Sequence, residues 1–189
     1  MPRLPFPEST ITGHYGTISE YRKKNGMQAH SGTDFAPAGS NKGKTPIPAV
    51  GAGTIKIAKW SNVLGWNVVQ TVWDAKKKKV AFVGYSHLKC NKHGINCKGG
   101  HDASEALSVK VGDKVSEGDA IGVVGNTGSA SSGCHLHLTI GWTERAIYGV
   151  TSDKFDFIEW LKTQESKQTK TKAAVPTVKK CPTCGQEVK

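Results

Sequence analysis

Gly133-Cys134-His135-Leu136-His137-Leu138-Thr139-Ile140 is the stretch from which the fold can be read. Leu136, Leu138 and Ile140 fall on one parity, and His135, His137 and Thr139 on the other. This is the period of a half-buried β-strand, not of a helix. Residues two apart on a strand point the same way. The leucines therefore face a core, while both imidazoles project together into the opposite space. Imidazole is the commonest metal ligand, although a His-x-His pair taken alone also describes two surface histidines met by chance. His30-Ser31-Gly32-Thr33-Asp34 adds an imidazole and a carboxylate four residues apart. Gly32 and the Ser/Thr content disfavour a helix there, and in extended chain positions i and i+4 again share a face. A catalytic zinc takes three protein ligands from His, Asp or Glu and keeps a position open for water. His30, Asp34 and one histidine of the pair supply that set. Tyr85-Ser86-His87-Leu88 ends another strand-like run. No His-Glu-x-x-His motif is present, so a proton acceptor has to come from the remaining histidines, one of the pair and His87.

Four features occur in a fixed order: His30-x-x-x-Asp34; Tyr85-x-His87-Leu88; Val109-x-x-Gly112-Asp113-x-Val115 with the glycine turns through Gly128; and His135-Leu136-His137. In that order they resemble the lysostaphin/LytM-type zinc endopeptidases, which cut peptide cross-links in bacterial cell walls. The resemblance runs from about Ile11 to Trp142. It implies a mainly β protein of antiparallel sheet, a sandwich or open barrel of the duplicated hybrid motif type, with a zinc cleft. It further implies that His30, Asp34 and His137 hold Zn2+, and that His87 and His135 are the catalytic histidines flanking the attacking water. Thr139 stands where relatives often have glutamate and Cys134 where they often have proline, so the groups behind the ligands differ from the family pattern. A catalytically dead relative would lack one or more of these five residues, and all five are present.

Composition sets the outer limits. The chain has 189 residues and a formal charge of +11 from 26 basic and 15 acidic residues, which suits one domain with a tail and favours polyanionic partners such as the acidic polymers of a cell wall. Residues 1–10 are rich in proline and lack the apolar centre of a signal peptide. No run approaches the roughly 20 apolar residues of a membrane span. The expectation is a protein made in the cytoplasm of a bacterial host without a signal peptide and acting on the wall, as a bacteriophage endolysin released through a separate pore does.

Along the chain, residues 46–58, 66–73 and 80–87 read as strands, the last two joined by a hairpin through Lys76-Lys77-Lys78-Lys79. Those lysines either grip an anionic polymer or discourage edge pairing. His14 is a loop histidine within reach of the cleft. Residues 109–122 form two short strands around glycine turns, a pattern shared with biotinyl- and lipoyl-carrier domains, but without a carrier's modifiable lysine at a hairpin tip. Residues 90–102 depart from the family. Cys90, His93, Cys97 and His101 offer four soft ligands in one loop, read as a structural zinc, a Cys90–Cys97 disulfide or an insertion with free thiols. Residues 153–161 read as a short C-terminal helix. The catalytic domain is set at 1–162, a polar basic linker at 163–178, and a tail at 179–189. In the tail, Cys181 and Cys184 form half a zinc knuckle that needs partners, for which Cys90 and Cys97 are candidates. Residues 162–189 carry seven lysines and two glutamates, +5 of the +11. They lack the interleaved aromatics of a nucleic-acid reader, which argues against nucleic acid as a partner.

Overall fold

The computed structural model describes residues 1–149 and 152–165. The linker from residue 166 and the Cys181/Cys184 knuckle lie outside the described residues. The strands in chain order are β1 (Ile11–Gly13), β2 (Thr33–Phe35), β3 (Pro46–Pro48), β4 (Gly53–Ser61), β5 (Gly65–Asp74), β6 (Lys79–Leu88), β7 (Lys114–Val115), β8 (Ala120–Val123), β9 (Leu136–Gly141) and β10 (Lys154–Phe155). Four short helices join them: α1 (Glu20–Lys24), α2 (Ala103–Ala106), α3 (Glu144–Tyr148) and α4 (Phe157–Glu165).

An antiparallel sheet in the order β1-β2-β9-β6-β5-β4-β7, with β10 on β9, faces a two-stranded sheet of β3 and β8. The fold is thus mainly β and antiparallel, as the alternation in residues 136–140 requires. Leu136, Leu138 and Ile140 are buried in the core together with Phe35, Ile55, Val68 and Tyr85 of the large sheet and Ile47 and Ile121 of the small one. β5 is buried on both faces along most of its length. On the neighbouring strands α3 covers the outer face: its Ile147 and Ala146 sit so close to Gly84 of β6 and Gly141 of β9 that a Cβ at either glycine would lie 2.4 Å away.

The C-terminal helix differs from the sequence reading at both ends. It starts at Phe157, capped by the Asp156 carboxylate on the N–H of Ile158, and runs through Thr163 and Gln164 to Glu165. Gln164 is buried and accepts a hydrogen bond from the N–H of Ala75, and Trp160 Nε1 donates to Asp74. These contacts anchor the helix on the β5–β6 hairpin, so Gln164 packs on the catalytic part. Among the described residues there are three α-helices besides α4. Each has five residues or fewer, too short for a periodic signal.

Candidate active site

β2, β9 and β6 lie side by side, and this order builds the site. The register pairs Asp34 with His137 and Ser86 with His137. Residues opposed across an antiparallel ladder share a face, so Asp34, His137 and Ser86 all point away from the leucine core. His30 enters one turn of chain before β2. Its Nε2 lies 3.1 Å from Asp34 Oδ2 and 3.2 Å from His137 Nδ1, and His137 Nδ1 lies 2.8 Å from Asp34 Oδ1.

Two glycines make this approach possible. A Cβ at Gly32 would lie 2.5 Å from the Leu138 carbonyl and 2.8 Å from the His137 ring. One at Gly13 would lie 2.9 Å from Asp34 Oδ2 and 3.2 Å from the His30 ring.

His87 arrives differently. Strand parity places Ser86, not His87, on the site face. His87 is in the left-handed region at φ 64°, which a non-glycine residue adopts at a cost of roughly 1–3 kcal/mol. That twist turns its ring off the ladder and toward the cluster, 4.8 Å from the His135 ring and 5.8 Å from that of His137, between centroids. His135 sits one residue before β9, bridged to Gly125, with Nε2 3.7 Å from Asp34 Oδ1.

The partners of the outer nitrogens fix the tautomers, because a carbonyl can only accept. His30 Nδ1 donates to the His14 carbonyl at 3.0 Å, His87 Nδ1 to the Thr127 carbonyl at 2.7 Å, and His135 Nδ1 to the Gly133 carbonyl at 2.7 Å. Each then presents a bare Nε2. In His137 Nδ1 faces Asp34 Oδ1 at 2.8 Å and, because a carboxylate can only accept, carries the proton there; a metal on Nδ1 would move that proton to Nε2, which lies 3.1 Å from Thr139 Oγ1.

Charge follows from this packing. Burial alone would raise the Asp34 carboxyl, but its close contacts with the His137 and His30 rings bring it well below the usual carboxylate range. Burial pushes His87 down to about 3, helped by the nearby His135 and His137 rings. Burial also lowers His137. Burial therefore keeps the His87 and His137 rings neutral beside an ionised Asp34.

This donor set suits zinc. His30, Asp34 and His137 are the one group of three or more His, Cys, Asp or Glu among the described residues whose ligand atoms come within 4.8 Å of one another. A tetrahedral ion with bonds near 2.0–2.2 Å needs donors roughly 3.3–3.5 Å apart, a few tenths of an ångström beyond the spacings here. Each ligand imidazole has an oxygen on its other nitrogen, the arrangement that fixes a metal-bound histidine.

Residues 28–148 match the profile of peptidase family M23. The chain belongs to that family. It is 35% identical over 126 residues, 66% of its own length, to a protein described as an uncharacterized metalloprotease from Buchnera aphidicola, and spans 26% of that relative. Its fold matches the catalytic domain of the antimicrobial peptidase lysostaphin from Staphylococcus simulans with a TM-score of 0.55 at 26% identity, covering 80% of this chain and 91% of that one. It also matches the catalytic domain of the prophage-encoded M23 protein EnpA from Enterococcus faecalis with a TM-score of 0.52 at 25% identity, covering 79% and 90%.

Other sequence-derived candidates are placed elsewhere. The His14 side chain is exposed, and only its carbonyl serves the site. Of the second metal grouping, Cys181 and Cys184 lie outside the described residues; Cys90 and Cys97 are neighbouring free thiols, Cys90 buried in the core and Cys97 accepting a hydrogen bond from Trp66 Nε1 at 3.2 Å. The rings of His93 and His101 stack on each other at 3.7 Å, joining no third ligand. Burial, with the neighbouring Cys90, pushes the Cys97 thiol up to about 11, unlike the lowered thiols that ligate metals. The sequence reading missed Ser86, whose Oγ is the one buried side-chain polar atom without a partner among the described residues. It also missed Thr127 and Gly133, which act through main-chain carbonyls, a role that carries no side-chain signal.

Proposed function

We propose that this chain is a zinc-dependent endopeptidase that hydrolyses peptide cross-links of bacterial peptidoglycan. The observation that carries the reading is the convergence of the inner ring nitrogens of His30, His87, His135 and His137 around one carboxylate, Asp34. His30 Nε2, Asp34 and His137 Nδ1 would hold the metal. When bound, zinc supplies Lewis acidity, which acidifies water and polarises a carbonyl.

His87 and His135 do the proton work. One accepts the proton of the attacking water on its bare Nε2, and its Nδ1–H stays on a main-chain carbonyl that steadies the resulting imidazolium. The other sits across the same opening and, once its Nε2 has taken up a proton from solvent, can donate a hydrogen bond to the developing oxyanion. The proton of the attacking water then passes to the leaving amine. Acid–base help of this kind is typically worth about 10²–10⁴-fold in rate. Asp34 keeps its negative charge throughout, because its hydrogen bonds favour the ionised form.

The substrate assignment is supported by membership of M23 and by the likeness to the lysostaphin catalytic domain. The prophage-encoded relative supports the narrower reading of a bacteriophage protein that lyses its host. Purified walls are to be digested with the full chain and the new amino termini identified by mass spectrometry. The expected result is release of new termini from stem or bridge peptides, abolished by a chelator and restored by added zinc. Intact walls in the zinc-loaded reaction would refute the proposal.

A further inference from the structure

The loop over residues 89–101 departs from the family pattern, yet it is tied firmly to the site. The Asn126 N–H donates to the Ile95 carbonyl at 2.8 Å and Asn126 Nδ2 donates to Asn96 Oδ1 at 3.0 Å. Gly99 lies under Trp60, where a Cβ would come within 2.5 Å of Nε1. Between this loop, the β4–β5 turn and residues 126–129 is a recess of about 290 Å³, at the small end of ligand pockets, about 300–1,000 Å³.

The recess borders the chemistry, because Thr127 lines it and the Thr127 carbonyl holds His87. Its walls are also fixed. A Cβ at Gly65 would meet Thr127 at 2.2 Å, and one at Gly128 would meet the Gly65 nitrogen at 2.2 Å.

The lining is rich in donors. It contains Lys98 and no carboxylate. Trp60 Nε1 donates to Asn62 Oδ1 at 2.9 Å, and because an indole only donates, Asn62 must turn its Nδ2 the other way. Asn96 likewise spends its oxygen on Asn126 and keeps its Nδ2. Lys98 is exposed, with no hydrogen bond or ion pair among the described residues. A cation and two amide donors around a recess without an anion match a carboxylate.

We infer that this recess is a substrate subsite, built by the 89–101 loop, that takes a carboxylate-bearing residue of the peptide near the scissile bond, with Lys98 as its specificity determinant. The inference rests on the peptidase reading. It assigns the loop a selective role, and Lys98 affects how tightly a substrate is held without touching the reacting atoms.

The test uses the full zinc-loaded chain and a family of soluble quenched-fluorescence peptides around the bond identified in wall digests. Glutamate and glutamine are exchanged one position at a time on either side of that bond. At one position the glutamate peptide is expected to show a KM about three- to fivefold lower than its glutamine twin, the range of one partly exposed charge pair. Lys98→Ala should erase that ratio and Lys98→Glu should invert it, with kcat on the glutamine peptide unchanged within twofold. A glutamate preference that survives in Lys98→Glu, or no preference at any position, overturns the subsite and leaves the peptidase reading standing. Failure of the wild type to cut either walls or peptides overturns both.

Discussion

Thr139→Val isolates one atom of the site. Thr139 is 1% exposed on β9, and its Oγ1 is the partner of His137 Nε2 at 3.1 Å. Valine keeps the branched shape and the strand preference and removes only the hydroxyl. With a metal on Nδ1, the ring N–H of His137 is then buried without an acceptor, and leaving a buried donor unpaired costs about 1–3 kcal/mol. With zinc bound, that bond would hold the tautomer in which Nδ1 is free for the metal. Loss of such a partner behind a metal ligand typically weakens binding by about 10–100-fold, or roughly 1.4–2.7 kcal/mol, which agrees with the first figure. The assay is a competitive chelator titration of zinc on wild type, Thr139→Val and Thr139→Ser. Valine should weaken affinity by at least tenfold and serine should restore most of it. Equal affinities for all three within twofold would show that the hydroxyl does not orient His137, and the tautomer argument would fall with it.

Zinc content measured beside wall hydrolysis separates the five site residues. His30→Ala, Asp34→Ala and His137→Ala should lose the metal, whereas His87→Ala and His135→Ala should keep about one zinc per chain and lose about 10²–10⁴-fold in rate; zinc retained in His137→Ala but lost in His135→Ala would reverse the assignment. Gly32→Ala should lower zinc affinity while leaving a folded β protein by circular dichroism, because its Cβ would press on the His137 ring at 2.8 Å; unchanged affinity would mean that the strand yields instead. Stability of the metal-free protein should fall with pH. His87 is held at about 3 in the fold against roughly 6.5 in the unfolded chain, so below pH 6.5 the unfolded state binds the extra proton. The burial that lowers His137 acts in the same sense, and the lowered Asp34 adds to the loss below about pH 4. Urea midpoints at pH 7 and 5 in the presence of a chelator should differ by up to about 2 kcal/mol from His87 alone, and equal midpoints would show that His87 is not buried as a neutral ring.

The sequence by itself determined whatever depends on local period and spacing. Alternation through Leu136, Leu138 and Ile140 specified a strand with one apolar face, and the same parity put His135 and His137 on the other side. Four-residue spacing brought His30 and Asp34 together, since extended chain repeats every two residues. It reached less far wherever the deciding partner is remote along the chain. The Thr127 carbonyl that fixes the His87 tautomer is 40 residues from it, and the His14 carbonyl behind His30 is 16 residues away. Backbone carbonyls are the same in every residue, so no residue type could have announced them. Nor could parity foresee His87, because the alternation that serves His137 points the His87 position away from the cleft. Only the left-handed backbone there, at φ 64°, turns the ring back. The Cys90–His101 loop shows the same limit. Its four soft ligands left a zinc, a disulfide and free thiols open, and only tertiary contacts place Cys97 on the Trp66 indole and Cys90 in the core as free thiols. Residue types and local period define which groups are available; long-range strand pairing and burial decide which of them meet.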